Sequence, residues 1–111
     1  MAGGKRFQPA GDGAPLLRLW AYTVKPEKSA EFIRFYGPDG DWARLFARGE
    51  GYLGTELWRT GGNRFITLDR WRSAADWRRF KAAFAADYAA LDARGDGLTE
   101  TETDLGDYSA P

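Results

Sequence analysis

Apolar and polar residues follow a pattern along the chain that predicts four β-strands. Residues 16–24 carry apolar side chains on both faces, which is typical of a strand covered on both sides. Residues 52–59 and 64–71 have strand character, and the intervening Thr60-Gly61-Gly62-Asn63 predicts a tight turn because Gly and Asn tolerate positive φ. Residues 98–105 alternate as a fourth, more polar strand.

Two other segments have helical periodicity. Residues 27–36 predict a helix that Gly37–Gly40 interrupts, and Asp41 is a candidate N-cap for a second short piece. A stronger helix begins at the capping-box sequence Ser73–Asp76 and ends at Arg94-Gly95, where a cation and then a glycine follow in the usual order. One stripe at intervals of three and four follows this helix, formed by Trp77, Phe80, Phe84, Tyr88 and Leu91.

The order β-α-β-β-α-β predicts a ferredoxin-like α+β fold, with a four-stranded antiparallel sheet and two helices on one face. The opposite face would carry Ile66 and Leu68 of the third strand, and Leu53, Thr55 and Leu57 share one face of the second. A monomer rarely exposes such a patch, so we expect a homodimer with the two sheets packed face to face. The alternative is a monomer with a few exposed aliphatic side chains.

The pattern indicates one domain over residues 16–105. Residues 1–15 are rich in Gly, Ala and Pro without periodicity, which favours a flexible N-terminal arm. An arm that orders over a partner is the alternative. Residues 106–111 would be a C-terminal tail.

Composition narrows the classes of function. The 111 residues carry 16 basic and 16 acidic side chains, and this balance argues against nucleic-acid binding, which needs a concentrated basic face. No run of about 18 apolar residues predicts a membrane span, and no apolar secretory segment is visible, so we expect a cytoplasmic protein. The chain has no Cys and no His, which removes thiolate chemistry, the commonest metal ligand and the usual general base.

Charged clusters elsewhere have mainly structural interpretations. Alternating carboxylates at Glu100, Glu102 and Asp104 are typical of a solvated strand face, so we expect no metal site there. A basic run interleaved with acids at Asp69 and Asp76 predicts a salt-bridged helix entrance. An anion site for a substrate carboxylate or phenolate is the alternative. The cations of this run are Arg70, Arg72, Arg78, Arg79 and Lys81.

The third strand carries the candidate chemistry. If its even-numbered residues face a second sheet, the side chains beneath the helices are Phe65, Thr67, Asp69 and Trp71. Asp69 would then be a carboxylate in an aromatic layer, where it must be paired, hydrogen-bonded or protonated. The functional interpretation is a general acid or base with a raised pKa. The structural alternative is an ion pair with Arg18, Arg59 or Arg72.

Several of these segments resemble one known family. The stretches Gly51-Tyr-Leu-Gly-Thr-Glu-Leu57, the Gly-Gly-Asn turn and Phe65-Ile-Thr-Leu-Asp-Arg-Trp-Arg-Ser73, followed by Trp77, resemble the antibiotic biosynthesis monooxygenases over roughly residues 16–105. The resemblance implies a dimeric α+β barrel and an oxygenase acting on an aromatic or polyketide-like substrate without metal, flavin or other cofactor. The wider superfamily also holds haem-degrading oxygenases, polyketide cyclases and lactone isomerases.

The resemblance can be followed residue by residue. Trp71 matches the Trp that quinone-forming members use before the last helix, whereas Thr67 stands at their Asn and Trp77 at their Tyr. Lys81 stands where the haem-degrading relatives have a His, so haem degradation by that mechanism is disfavoured.

The hypothesis of a cofactor-free oxygenase assigns roles to individual residues. Asp69 would be the base, Trp71 and Trp77 would stack on or donate to the substrate, and an arginine would stabilise the anion. The candidate substrate-binding residues are Phe65, Thr67, Trp20, Phe80, Phe84 and Arg72.

Two other functions stay open. A non-redox cyclase or isomerase would use the same base and cavity. A non-catalytic ligand-binding or interaction module is the third candidate, and the two changed positions, Thr67 and Trp77, support it.

Overall fold

A computed structural model describes residues 13–111, so most of the predicted N-terminal arm lies outside the described residues. The strands are β1 (Leu16–Val24), β2 (Tyr52–Thr60), β3 (Arg64–Trp71) and β4 (Thr99–Tyr108). The α-helices are α1 (Ser29–Tyr36), α2 (Asp41–Phe46), α3 (Ala74–Ala83) and α4 (Ala85–Arg94). A short 3-10 turn, Pro26–Lys28, precedes α1. Across these described residues no helix is long and apolar enough to cross a membrane.

The strands form one antiparallel sheet in the order β2-β3-β1-β4. This is the predicted ferredoxin-like arrangement, and the tight turn between β2 and β3 is confirmed: Gly62 and Asn63 both have positive φ, at 74° and 58°. β2 and β4 are the edges of the sheet. The helices pack over one face of the sheet, and aromatic side chains fill most of the core between them.

The predicted alternation of β3 is confirmed. Phe65, Thr67 and Trp71 are 2%, 3% and 0% exposed on the helix side, whereas Ile66 on the opposite side is 39% exposed. Asp69 lies on the helix side as well, where it is paired with Arg18 of the neighbouring strand β1. The side chains of β3 are therefore sorted as the pattern of its sequence predicts.

The predicted face of β2 is wrong, because the strand contains a β-bulge. Tyr52 pairs with Trp71 but Gly54 already pairs with Arg70, so β2 has one extra residue at this point. Gly54 has φ of 139°, which L-residues rarely adopt, and Leu53 is 63% exposed. Beyond the bulge, Thr55 pairs with Asp69 and Leu57 with Thr67, which places both on the helix side.

Three predicted boundaries also differ from the structure. The N-cap of α2 is Gly40, and Asp41 is the first helical residue, where its carboxylate still complements the helix dipole. The predicted helix from Ser73 to Arg94 is two helices, because Phe84 leaves helical geometry at φ −113° and ψ 27°. β4 extends to Tyr108, because a β-bulge at Leu105, where the Gly106 N–H donates to Asp104 Oδ1 at 2.8 Å, lets pairing with β1 continue.

The start of α3 is a salt-bridged corner, as predicted. Ser73 Oγ accepts from the Asp76 backbone N–H at 3.1 Å, and the buried Asp76 carboxylate accepts from Arg72 Nε at 2.7 Å and from Arg79. The backbone of Gly51 passes directly over this carboxylate, with φ of 91°, and a Cβ there would lie 2.3 Å from Asp76 Oδ2. Only glycine fits at position 51, which explains the glycine immediately before β2.

Candidate active site

A partly enclosed cavity of about 180 Å³ lies between the sheet and the helices. Its walls are mostly aromatic, and charged groups stand at both of its ends. The lining residues are Arg18, Trp20, Tyr22, Tyr36, Trp42, Phe46, Thr67, Asp69, Tyr88, Asp92 and Glu102. An apolar pocket with a few convergent polar groups is the usual form of a small-molecule site.

Asp69 is the carboxylate at the sheet wall of this cavity. Thr55 Oγ1 donates to Asp69 Oδ1 at 2.6 Å, and Tyr52 Oη lies 2.6 Å from Thr55 Oγ1. The single Thr55 proton points to the carboxylate, so Tyr52 is the donor in the second bond. Within residues 13–111, Asp69 forms no ion pair, because the Arg18 Nε instead bonds Asp107 Oδ1 at 2.8 Å. The predicted ion pair of Asp69 is therefore replaced by a chain of hydroxyl groups.

Burial raises the pKa of Asp69 from 3.8 to about 6, against the opposing effects of the Thr55 hydrogen bond and the Arg18 charge. The geometry leaves Oδ1 held by Thr55 and aims the carboxyl group at the cavity. A carboxylate with a pKa near neutrality is a suitable general base or acid at cellular pH.

We expect Thr55→Val to raise the pKa of Asp69 further. The substitution keeps the side chain's shape but removes the donor that stabilises the ionised carboxylate. A titration followed by the ¹³C NMR shift of the Asp69 carboxyl carbon measures the change. Thr55→Ser, which keeps the hydroxyl, should titrate like the wild type, and an unchanged pKa in Thr55→Val would show that the hydrogen bond is absent in solution.

Asp69 should also lower the stability of the fold at neutral pH. Its folded-state pKa of about 6 exceeds its ordinary value of 3.8, so ionising Asp69 destabilises the folded state. The fold keeps its full stability below about pH 4 and loses part of it as the pH rises through 6. We expect Asp69→Asn to gain roughly 1–3 kcal/mol in free energy of unfolding at pH 7.5, and nothing at pH 4. Urea unfolding at the two pH values tests this, and a gain of equal size at both would exclude the ionisation as its cause.

Arg18 supplies positive charge at the Asp69 end of the cavity. Its guanidinium stacks over the Trp77 ring, 4.0 Å from the centroid, and its Nε is bonded to Asp107. Lys81 also lies over Trp77, at 5.5 Å, and over Tyr88 at 4.2 Å. Trp77 therefore acts as the platform that positions Arg18 beside Asp69.

Hydroxyl groups of tyrosine and threonine supply further polar atoms. Tyr22 Oη lies 3.2 Å from Thr67 Oγ1, in a buried hydrogen bond at the centre of the sheet wall. Burial raises the pKa values of Tyr22, Tyr36 and Tyr88, so all three phenols stay protonated at neutral pH. Each is thus able to donate a hydrogen bond to an oxygen anion.

The structure brings together only part of the predicted site. Asp69, Thr67 and Trp20 line the cavity. Trp77 contacts it through Arg18. Arg72 lies outside the cavity, bound to Asp76.

The other predicted aromatic residues lie behind the cavity or beside it. Trp71 is fully buried, with ring centroids 5.9 Å from Phe46 and 5.2 Å from Phe80. Phe80 stacks on Phe84, and Phe65 packs on Phe32. These side chains do not line the cavity but support the residues that do.

Sequence reasoning missed the helical half of the site. Tyr36, Trp42, Phe46 and Tyr88 come from three helices, and the helical spacing of aromatic residues in the sequence does not show that a void lies between them. The alternation of β1 was one usable feature of the sequence. Trp20 pairs with Thr67 and Tyr22 with Phe65, so the even-numbered residues of β1 face the same side as the candidate residues of β3.

The carboxylates of the cavity are not arranged as a metal site. In the part of the chain that the structure describes, no group of three His, Cys, Asp or Glu side chains is placed to hold a metal ion. Glu102 instead accepts from Thr99 Oγ1 at 2.9 Å.

Comparison with solved structures places this fold among known proteins. The chain is similar to SnoaB, a cofactor-independent oxygenase from Streptomyces nogalater, with 24% identity, 88% of this chain and 94% of that chain covered, and a TM-score of 0.59. It is similar to a Shewanella loihica protein provisionally described as a monooxygenase, with 22% identity, 91% and 98% coverage and a TM-score of 0.62. A conserved protein from Methanosarcina mazei has 16% identity, 89% and 95% coverage and a TM-score of 0.61.

At these identities the solved structures show a shared fold. No curated protein matches the sequence. The sequence profile of the antibiotic biosynthesis monooxygenases matches residues 15–89, which is well over half of the chain and includes the strand that carries Asp69. The chain therefore belongs to the antibiotic biosynthesis monooxygenase family.

Proposed function

We propose that the protein is a small oxygenase that needs no metal or flavin and oxidises an aromatic or polyketide-like substrate in the cavity beside Asp69. One observation carries the proposal: a half-buried carboxylate with a pKa of about 6 faces an aromatic cavity and is held there by Thr55. Membership of the monooxygenase family and the likeness to SnoaB support the oxygenase chemistry.

The proposed reaction converts an activated CH₂ group and O₂ into a carbonyl group and water. Asp69 takes a proton from the carbon, and the electron pair left on carbon forms a C–O bond with O₂. The resulting peroxide anion takes the proton back from Asp69. Loss of the second C–H proton then breaks the O–O bond and expels hydroxide, which combines with that proton to give water. The carbon is oxidised, O₂ is reduced, and Asp69 returns to its ionised form.

Arg18 and the phenols have a place in this scheme. Removing the proton puts negative charge on the substrate's oxygen as an enolate, and donors fixed in a dry site stabilise such charge strongly. Arg18 is paired with Asp69 on the neighbouring strand, and the Tyr22–Thr67 pair lies further along the same side of the sheet. These groups would stabilise the enolate without moving.

The size of the cavity limits the substrate. Its volume of about 180 Å³ is below the about 300–1,000 Å³ that is typical of sites for drug-sized ligands. A compound of one or two rings fits within this volume, and a three-ring compound would extend beyond it through the open side of the cavity.

The test is oxygen uptake in the presence of an enolisable aromatic ketone, with anthrone and the smaller 2-tetralone as probes. We expect the wild-type protein to consume O₂ and to form the corresponding carbonyl product. The non-redox alternative, a cyclase or isomerase, would form product under strict anaerobiosis. Binding without turnover, in air or without it, would instead support the non-catalytic module.

We also propose that the protein works as a homodimer in which two copies pack their open sheet faces together. The face opposite the helices carries Leu19, Ala21, Leu68 and Ile66, paired across β1 and β3, and Trp58 beside Ile66 is 63% exposed. Covering such a patch is the usual way in which a soluble protein avoids aggregation.

We expect gel filtration to give twice the chain mass of 12.4 kDa. Ile66→Glu should shift elution to the monomer, because it places two carboxylates at the centre of a packed apolar face. Glu100→Gln, at an exposed position of β4, is the control that should stay dimeric. A wild-type protein that elutes at 12.4 kDa at micromolar concentration would contradict the dimer.

A further inference from the structure

The charges of the cavity are separated along β1. Arg18 and Asp69 lie at one end, and Lys81 contacts the same Trp77 ring as Arg18. Glu102 lies at the other end, paired with Tyr22, four residues along β1 from Arg18. At a strand rise of about 3.3 Å per residue, the two ends are about 13 Å apart. One end therefore carries Arg18, the cation that lines the cavity, with Lys81 close behind it, and among the described lining residues the other end has only carboxylates as its charged groups.

The acidic end combines carboxylates with aromatic faces. Glu102 and Asp92 are exposed at the rim, and both act on the Tyr36 phenol, whose pKa is raised first by burial and then by these negative charges. Trp42 lies beside Tyr36, with ring centroids 6.4 Å apart. Electron-rich rings together with carboxylates are the surroundings that proteins use to bind ammonium groups.

From this arrangement we infer that the ligand of the cavity is an aromatic compound that carries a protonated amine, with the amine bound between Glu102, Asp92 and the Tyr36 ring. The inference extends the proposed function by naming the ligand class, and rests on it only in that both concern the same cavity. A ligand held in this way would direct its ring towards Asp69 and Arg18.

An anionic ligand fits this end poorly. Its charge would meet Glu102 and Asp92, and the Nε of Arg18, the cation that lines the cavity, is already bonded to Asp107. The acidic end would thus determine which ligands bind and how they are oriented, whereas Asp69 would act on the aromatic ring.

The experiment compares three indoles of nearly equal shape by isothermal titration calorimetry at pH 7: tryptamine is a cation, tryptophol is neutral, and indole-3-acetate is an anion. We expect tryptamine to bind about five- to tenfold more tightly than tryptophol, and indole-3-acetate to bind most weakly. Equal or tighter binding of indole-3-acetate would overturn the inference, as would the absence of measurable binding for all three.

Paired variants locate the effect. Asp92→Asn combined with Glu102→Gln should remove the advantage of tryptamine and leave the affinity for tryptophol unchanged. The matched control is Asp96→Asn combined with Glu100→Gln, which removes the same charge from exposed positions near the same elements that do not line the cavity. A preference for tryptamine that survives the first pair, or that the control pair also removes, counts against the inference.

Ligand binding is measured independently of oxygen uptake, so a wrong ligand class can be distinguished from a wrong oxygenase proposal. If the indoles show no preference for the cation while 2-tetralone still drives oxygen uptake, only the ligand class is wrong. If tryptamine is preferred but no enolisable ketone drives oxygen uptake, the ligand class stands and the oxygenase proposal falls.

Discussion

Asp69→Asn is expected to reduce kcat/KM for oxygen uptake by about 100-fold or more, because a positioned general base contributes about 10²- to 10⁴-fold. Asparagine has the same shape, and its amide oxygen can still accept the Thr55 hydrogen bond, but it cannot take a proton from carbon. The loss is measured with an oxygen electrode and 2-tetralone. Undiminished turnover in this variant would remove Asp69 from the chemistry.

The pH profile of the wild-type enzyme gives a second readout of the same group. Because Asp69 must be ionised to act as a base, kcat/KM should fall as the pH drops below about 6. Thr55→Val should move this acid limb to higher pH, and Thr55→Ser should restore it. Glu100→Gln is the control for a general change of charge, and its profile should match the wild type.

Trp71→Ala is expected to cost about 3–5 kcal/mol in free energy of unfolding. The side chain is fully buried, and its ring meets those of Phe46, Tyr52 and Trp77 at centroid distances of 5.9, 5.4 and 5.5 Å. Removing it opens a large hole in the core, and a loss of this size is a substantial part of the about 5–15 kcal/mol that stabilises a typical domain. Urea unfolding at fixed protein concentration measures it, and a loss below about 1 kcal/mol would contradict the packing described here.

Trp71→Phe separates packing from chemistry. The Trp71 Nε1 is buried without a hydrogen-bond partner among the described residues, so a phenyl ring removes an unsatisfied N–H but leaves a smaller gap. We expect a much smaller loss of stability than in Trp71→Ala. Because Trp71 lies behind the cavity, a folded but inactive variant would show that the shape of the cavity depends on the full indole ring. If it is folded and active, Trp71 acts by supporting Phe46, which lines the cavity.

Alternation along the strands was enough to predict the sheet and the inward direction of Asp69. It failed on β2, because a bulge depends on how two strands pair and leaves only an isolated glycine, Gly54, as a local sign. The break at Phe84 was equally hidden, since Ala82-Ala83-Phe84-Ala85-Ala86 contains no helix-breaking residue. Tertiary packing decides both features.

The residues that line the candidate site could be predicted from the sequence on the sheet side but not on the helix side. Asp69 and Thr67 follow from the parity of one strand, but the void depends on how far α1, α2 and α4 stand above the sheet, which no spacing in the sequence reports. Glu102 shows the limit most clearly. Its alternation on β4 indicated a solvated face, and it is exposed, yet it also forms the acidic rim of the cavity.

The bulge at Leu53 has a consequence for how such a site can arise. Tyr52 and Thr55 are three positions apart, and in a regular strand they would point to opposite sides of the sheet. One additional residue lets both hydroxyls reach towards the same carboxylate. Deleting the codon for Leu53 would leave Tyr52 and the present Thr55 two positions apart, so a regular strand would keep both hydroxyl groups on the same side without changing the register beyond them. Relatives that are one residue shorter at this point could therefore have a regular strand and still present the same pair of hydroxyl groups to the carboxylate.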